Sequence, residues 1–215
     1  MNKHLIFYRG PLERSRLSVI IESILITGVS ADFVWVFPGV LSKEKEAHAS
    51  GFLSQYNFGK IIFKSQNWKK FLTTRKELYR LINSENYSHV SMVGFSAPFF
   101  IKMPGKSIKK IWFINGIPEE KLVHDKSFIT KIISSVLWKV QGRQANPNLT
   151  VTVSKRMSAY VQQRTGINNI LEVPTCTSLD VFKPKQETSR KYFTYLGSGA
   201  GWQAIDLLEK VWYEI

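Results

Sequence analysis

Residues 5–39 read LIFYRGPLERSRLSVIIESILITGVSADFVWVFPG, and the pattern of this stretch indicates the fold class. The apolar run 5–8 predicts a short buried strand that ends at Gly10. A helix that ends near Thr27 and a second apolar strand over 33–37 follow it. Because both strands are continuously apolar rather than alternating, they are typical of a parallel sheet that helices cover on both faces.

The same alternation of strand and helix continues along the chain. Further short strands are expected near Ile61, Val90, Ile111, Val151 and Ile170, with amphipathic helices between several of them. This order predicts an α/β fold with a doubly wound, mostly parallel, Rossmann-like sheet. We expect the domain to span residues 1–184.

A change of composition follows this domain. Residues 183–191 read KPKQETSRK, which is polar and has no apolar anchor, so we expect an interdomain linker at 185–191. Residues 192–215 then predict a strand, a glycine loop and a helix over 202–213 that carries Ile205, Leu208 and Trp212. One strand and one helix cannot cover both faces of a sheet. The segment is therefore either the start of an incomplete second domain or a piece that packs on the first domain or on a second copy.

The charge of the chain is strongly positive and uneven. It has 30 Lys and Arg against 16 Asp and Glu, a net charge of +14. Residues 61–143 hold 15 of these basic residues and 5 of the acidic ones. Such a field attracts anionic lipid, nucleic acid or a phosphorylated substrate. The densest part is a candidate basic patch for a membrane surface, formed by Lys102, Lys106, Lys109 and Lys110.

Several classes of protein find no support in the sequence. A single cysteine, Cys176, excludes an internal disulfide framework and predicts a reduced, cytoplasmic setting. The four histidines lack metal-ligand spacing, and the motifs of zinc hydrolases, serine hydrolases and thiol oxidoreductases are absent. No apolar run reaches the roughly 18 residues of a membrane-spanning helix. We expect no metal and no cofactor.

A helix expected over 127–141 has apolar residues that recur at helical spacing, with Lys131 and Lys139 beside them. Two interpretations are open. The apolar stripe packs on the sheet, or the helix lies on an anionic membrane surface.

Residues 151–184, VTVSKRMSAYVQQRTGINNILEVPTCTSLDVFKP, resemble the end of the first domain of retaining GT-B-type glycosyltransferases of family four. In that family a strand ends at a serine, here Ser154, and a helix follows. A second strand leads into a signature that Pro174, Asp180, Phe182 and Pro184 match. Residues 191–208 are similar to the first strand, glycine loop and helix of the family's second domain. Residues 114–120, INGIPEE, resemble a segment that follows a first-domain strand.

The resemblance implies site residues at two places. Substrate contacts at strand ends would come from Gly10, Ser96, Asn115, Gly116 and Ser154. The donor diphosphate would meet the glycine loop through Gly197, Ser198, Gly199 and Gly201. That loop departs from the dinucleotide and P-loop spacings, so a plain strand-to-helix turn is an equal alternative. The family's sugar-binding His or Arg is not matched, and no catalytic base is nominated.

The resemblance therefore implies a glycosyltransferase fragment that takes a nucleotide-sugar donor and a glycan or lipid-linked acceptor for cell-surface polysaccharide. It would be peripheral on the inner face of the membrane. The 215-residue chain alone is expected to be inactive, because one wall of the donor cleft is incomplete. The alternative is a non-catalytic basic α/β module that binds anionic membrane or nucleic acid. No recognisable RNA-binding module supports nucleic acid.

Overall fold

A computed structural model of the chain describes residues 3–10, 14–66, 71–101, 108–117 and 128–174. Strands and helices alternate through all of these residues. The described strands are β1 (Lys3–Arg9), β2 (Ser30–Pro38), β3 (Ile61–Gln66), β4 (Tyr87–Val93), β5 (Lys109–Ile114), β6 (Leu149–Thr152) and β7 (Ile170–Glu172). The described helices are α1 (Arg14–Leu25), α2 (Lys43–Leu53), α3 (Phe71–Ser84), α4 (Ala97–Phe100), α5 (Phe128–Ala145) and α6 (Lys155–Thr165).

The described strands form one sheet in which every neighbouring pair is parallel, in the order β3-β2-β1-β4-β5-β6-β7. This confirms the predicted doubly wound α/β fold, and each of the seven strands that we expected within residues 1–184 is present. The order reverses at β1, because the chain first builds outward to β3 and then returns to add β4 on the other side. Such a reversal creates a crevice where the connections after β1 and β4 leave the sheet in opposite directions.

Two separate apolar cores cover the two faces of the sheet. On the face that we call the first, α3 to α6 pack on strand residues such as Phe7, Met92 and Trp112. On the second face, α1 and α2 pack on residues such as Ile6 and Phe33. The parallel strands are buried on both faces here, which is why their sequences are continuously apolar.

A polar network fastens the amino ends of three strands. The buried Asp32 carboxylate accepts a hydrogen bond of 2.6 Å from the Tyr87 hydroxyl and lies 2.8 Å from Lys3 Nζ. The same Lys3 Nζ lies 2.8 Å from Glu85, which also pairs with Lys60. Burial and the hydrogen bond to Asp32 raise the pKa of Tyr87, so its hydroxyl remains a donor. The network joins β1, β2 and β4 at the edge opposite to the crevice.

Helix α5 presents a different face to the protein than its apolar stripe suggests. The side chains of Ser134, Trp138 and Gln141 are buried, whereas Ile132 and Val136 are 49% and 53% exposed. The burial of this face is explained by one glycine and one large ring. A Cβ at Gly142 would lie 2.9 Å from Thr165 Cβ, so only glycine permits this approach of α5 to α6, and Trp138 fills the space beside them. The stripe therefore does not pack on the sheet at these positions.

Two further features complete the comparison with the sequence. Helix α2 was not expected from the sequence, because its hydrophobic pattern is weak. Its first turn is nevertheless stabilised, since Ser42 accepts a hydrogen bond from the Lys45 amide and Glu44 and Glu46 carry favourable charges there. The expected domain end at 184, the linker at 185–191 and the unit at 192–215 lie outside the described residues. Among the described helices, none combines the length and the apolar character needed to cross a bilayer.

Candidate functional site

The site residues expected at strand ends share the carboxyl edge of the sheet. Gly10 follows β1, Ser96 follows β4, and Asn115 and Gly116 follow β5, which are three adjacent strands. Ser154 follows β6, the next strand in the order. Ligands of open parallel sheets bind in the crevice at this edge, at the point where the strand order reverses. The structure therefore places these residues along one edge of the sheet, with Gly10 and Ser96 at the β1–β4 crevice and Asn115 and Gly116 one strand away from it.

Arg9, the last residue of β1, is the cation of the crevice. Its Nη1 donates a hydrogen bond to Ser96 Oγ, and its guanidinium carbon lies 4.7 Å from the centre of the Phe100 ring. Burial lowers the pKa of Arg9, but a guanidinium remains protonated at neutral pH. A positive charge with reduced hydration thus lies at the place where a ligand is expected. Arg9 was not among the site residues expected from the sequence, although a charged residue at the end of an apolar strand indicates a position at the edge of the sheet.

Gly94 brings the backbone after β4 against the backbone of β1. Its φ is +100°, and a Cβ on it would lie 2.8 Å from the Arg9 carbonyl oxygen. Its amide donates to the Phe113 carbonyl at 3.0 Å, and its carbonyl accepts from Trp112 Nε1 at 3.1 Å. The crevice between β1 and β4 is therefore built on a close approach that only glycine allows.

We expect Gly94→Ala to destabilise the protein by about 2 kcal/mol or more, because a non-glycine residue at this φ is strained and its Cβ would contact backbone rather than a flexible side chain. Urea unfolding followed by circular dichroism measures the loss. Gly51→Ala is the matched control, since a Cβ at this helical glycine meets no atom within 4 Å. Equal stability of the two variants would contradict the close approach.

Ser154 has a structural role that is sufficient to explain it. Its Oγ accepts a hydrogen bond of 3.2 Å from the Met157 amide and so caps α6. The helix ends at Gly166, whose φ is +76°. Asn115 is half-buried and lies at the carboxyl end of β5. Of the expected substrate contacts, Ser96 is the one whose side chain is shown in contact with Arg9.

The expected basic patch is only partly described. Lys109 and Lys110 begin β5, so they lie at the amino edge of the sheet, opposite to the crevice. As consecutive strand residues they are directed to opposite faces, and burial lowers the pKa of Lys110. Lys102 and Lys106 lie outside the described residues, as do Gly197, Ser198, Gly199 and Gly201 of the glycine loop.

Within the described ranges, no group of three or more His, Cys, Asp or Glu side chains is placed to hold a metal ion. The side chains described at this edge of the sheet are a guanidinium at Arg9, which can bind an anion, and the hydroxyl of Ser96 and the amide of Asn115, which can form hydrogen bonds. No protein-family model and no curated protein matches the chain.

Proposed function

We propose that the chain is the acceptor-side half of a glycosyltransferase, which moves a sugar from a nucleotide-sugar to a glycan or lipid-linked acceptor for cell-surface polysaccharide. The observation that carries this proposal is the half-buried guanidinium of Arg9 at the point where the strand order reverses. Nucleotide-sugars and lipid-linked sugars both carry phosphate groups. Arginine binds phosphate through two parallel hydrogen bonds, and partial burial strengthens that interaction. The resemblance of residues 151–184 to this family supports the same assignment.

Each residue of the proposed binding site has a different role. Arg9 holds the phosphate charge, and Ser96 orients the guanidinium by accepting a hydrogen bond from it. The Phe100 ring lies against the guanidinium, favours the cation electrostatically and excludes water from that side. Asn115 offers an amide donor and an amide acceptor to sugar hydroxyls. This arrangement stabilises charge on a phosphate without requiring a metal.

Helix α5 supplies a surface for the membrane. Trp138 packs edge-on against Phe95, just past the end of β4, with ring centres 4.4 Å apart. Since a crossover helix runs antiparallel to the strands, the residues before Trp138 lie at or beyond the carboxyl edge. The half-exposed Ile132, Ile133 and Val136 are therefore next to the crevice. A lipid-linked acceptor would reach Arg9 from a bilayer that contacts this stripe.

The test of the proposal is the binding of diphosphates to the 215-residue chain. Titration calorimetry against UDP-, GDP- and dTDP-sugars and farnesyl diphosphate should detect binding of at least one of them. Arg9→Gln should weaken this binding about tenfold or more, because a charge-assisted hydrogen bond contributes about 1.5–3 kcal/mol. Arg9→Lys should retain part of it. Arg143→Gln removes an exposed cation from α5 and is the control that should bind normally.

Absence of binding to every diphosphate, or equal losses in Arg9→Gln and Arg143→Gln, would contradict the proposal.

The second candidate is a basic module without catalysis, which the excess charge of residues 61–143 favours. In that case the chain would bind anionic vesicles or an RNA oligonucleotide with a steep salt dependence and would ignore the diphosphates.

Membrane binding through α5 is tested by vesicle sedimentation. The chain should bind vesicles that contain anionic lipid, and binding should weaken as salt is raised. The double variant Ile132→Asp, Ile133→Asp should bind at least tenfold more weakly, because partial burial of each side chain contributes about 1 kcal/mol or more. Leu72→Asp, at an exposed apolar position of α3, should bind as the unchanged chain does.

Equal binding to neutral and anionic vesicles, or equal binding of the α5 and α3 variants, would contradict this surface. Replacing Lys109 and Lys110 by Gln should reduce binding less than the α5 change does, because these residues begin β5 at the opposite edge of the sheet.

A further inference from the structure

An apolar groove of about 490 Å³ lies on the second face of the sheet, beside α1. Residues Val19, Ile20 and Ile24 of α1 form its wall. Its floor consists of strand residues from β5, β6 and β7 and the residue just after β7, namely Ile111, Phe113, Leu149, Val151, Leu171 and Val173. Leu171 and Val173 remain 49% and 38% exposed. Apolar side chains thus line a concave surface that the described residues leave open to solvent.

The floor of the groove is about as wide as a single helix. Neighbouring strands are about 4.8 Å apart, so the three strands of the floor span about 10 Å, which is the diameter of a helix with its side chains. On the first face α3 to α6 cover the sheet, whereas on the second face the core beneath α1 and α2 takes in residues of β1 to β4 and reaches no further than Phe113 of β5. A parallel sheet requires cover on both faces. The described part of the chain thus lacks one helix, at the position beside α1.

We infer that the helix expected over residues 202–213 of this same chain occupies the groove. The described residues end at Val173 and Pro174, and both of them line the groove, so the chain leaves the sheet at the groove itself. Residues 175–201 then connect Pro174 to the helix. At up to about 3.3 Å per residue, this connection is long enough to return the helix along either direction of the groove.

The sequence of the segment fits the groove in length and in pattern. Twelve helical residues are about 18 Å long, and strands of four to six residues are about 13–20 Å long. Ile205, Leu208 and Trp212 recur at spacings of three and four, which puts them on one face of a helix. Asp206 and Lys210 fall on the opposite face and would meet solvent. The sequence left open whether this segment starts a second domain or packs on existing structure, and the inferred position packs it on the first domain. The inference does not depend on the proposed sugar transfer.

Cross-linking in the full chain tests the position of the helix. In a Cys176→Ser background, the pair Leu171→Cys and Leu208→Cys should form an intramolecular link with a bismaleimide that spans about one helix diameter. The control pair joins Leu208→Cys to Leu72→Cys, which is exposed on α3 at the first face. Peptide mass spectrometry should find at least fivefold more intramolecular link in the groove pair. Equal yields of the two pairs would overturn the inference, and links between two chains would assign the groove to a second copy instead.

Hydrogen exchange provides an independent measurement that needs no cross-link. Leu208→Asp should raise amide exchange at least tenfold in β6 and β7, because the floor of the groove would lose its cover. Lys210→Asp, on the opposite face of the same helix, should leave the exchange of both strands unchanged. If both variants exchange as the unchanged chain does, the helix does not occupy the groove. An apolar ligand in the groove would give that same result and would also overturn the inference.

Discussion

Trp112→Ala is expected to lower the free energy of unfolding by about 3–5 kcal/mol. The indole is fully buried in β5, in contact with the rings of Phe95 and Trp138, whose centres both lie 6.3 Å from its own. Its Nε1 also donates a buried hydrogen bond of 3.1 Å to the Gly94 carbonyl. Truncation would leave a cavity and an unpaired carbonyl at the same place, and both cost free energy. Urea unfolding monitored by circular dichroism measures the change.

Trp112→Phe separates the two contributions. The phenyl ring fills most of the space but has no N–H, so we expect a loss of about 1–3 kcal/mol. Leu72→Ala, at an exposed position, is the control and should change stability by less than about 0.5 kcal/mol. A Trp112→Ala protein within 1 kcal/mol of the unchanged chain would contradict the central place of β5. Diphosphate binding should also weaken in Trp112→Ala, because Trp112 holds Gly94 and Gly94 contacts the Arg9 backbone.

Lowering the pH from 6.5 to 4 is expected to cost about 3 kcal/mol of stability through His4 alone. His4 is buried in β1, where its Nε2 lies 2.8 Å from Ser91 Oγ and its ring stacks on His89 at 5.6 Å. Burial, and then the charge of His89, lowers the pKa of His4 to about 4. Below pH 6.5 the unfolded chain therefore takes up a proton that the folded protein does not. Most of this loss is complete at about pH 4, and the rest follows as the folded-state His4 takes up its proton at lower pH.

The prediction is checked by urea unfolding at intervals between pH 7 and pH 4. His4→Gln keeps a polar group beside Ser91 and has no proton to gain, so its stability should be nearly independent of pH in this window. His48→Gln, on the exposed face of α2, should keep the full dependence. The pKa of Glu85, which its hydrogen bonds to Lys3 and Lys60 lower to about 2, acts in a separate window. Its contribution is lost only between about pH 4.5 and 2. Equal slopes in the two histidine variants would contradict the assignment to His4.

The parallel sheet could be predicted from the sequence because its signals are local. Each strand is a short apolar run, and Ser154 and Gly166 mark the two ends of α6 with the residues that such ends require. Gly10, Ser96, Asn115 and Gly116 were expected as strand-end contacts from the family resemblance, and they share the carboxyl edge because parallel strands all end at one edge. Helix α2 escaped prediction because its apolar periodicity is weak and its cap alone did not outweigh that.

The site depends on contacts that no local pattern contains. Arg9 and Ser96 meet only because β1 and β4 are neighbours, although 87 positions separate them in the chain. On α5 the apolar stripe left two interpretations open, and the bulk of Trp138 together with the close packing at Gly142 buries a different face of the helix. Such choices depend on how distant elements fit together.

Parallel strands with helices between them follow from the sequence, because runs, caps and turns act over a few residues. The order of the strands, the exposed face of α5 and the open groove beside α1 depend on tertiary packing. Strand order determines which strand ends lie together, so it brings Arg9 and Ser96 to one crevice. Packing volume determines which helix face is buried, so it leaves Ile132 and Val136 in contact with solvent.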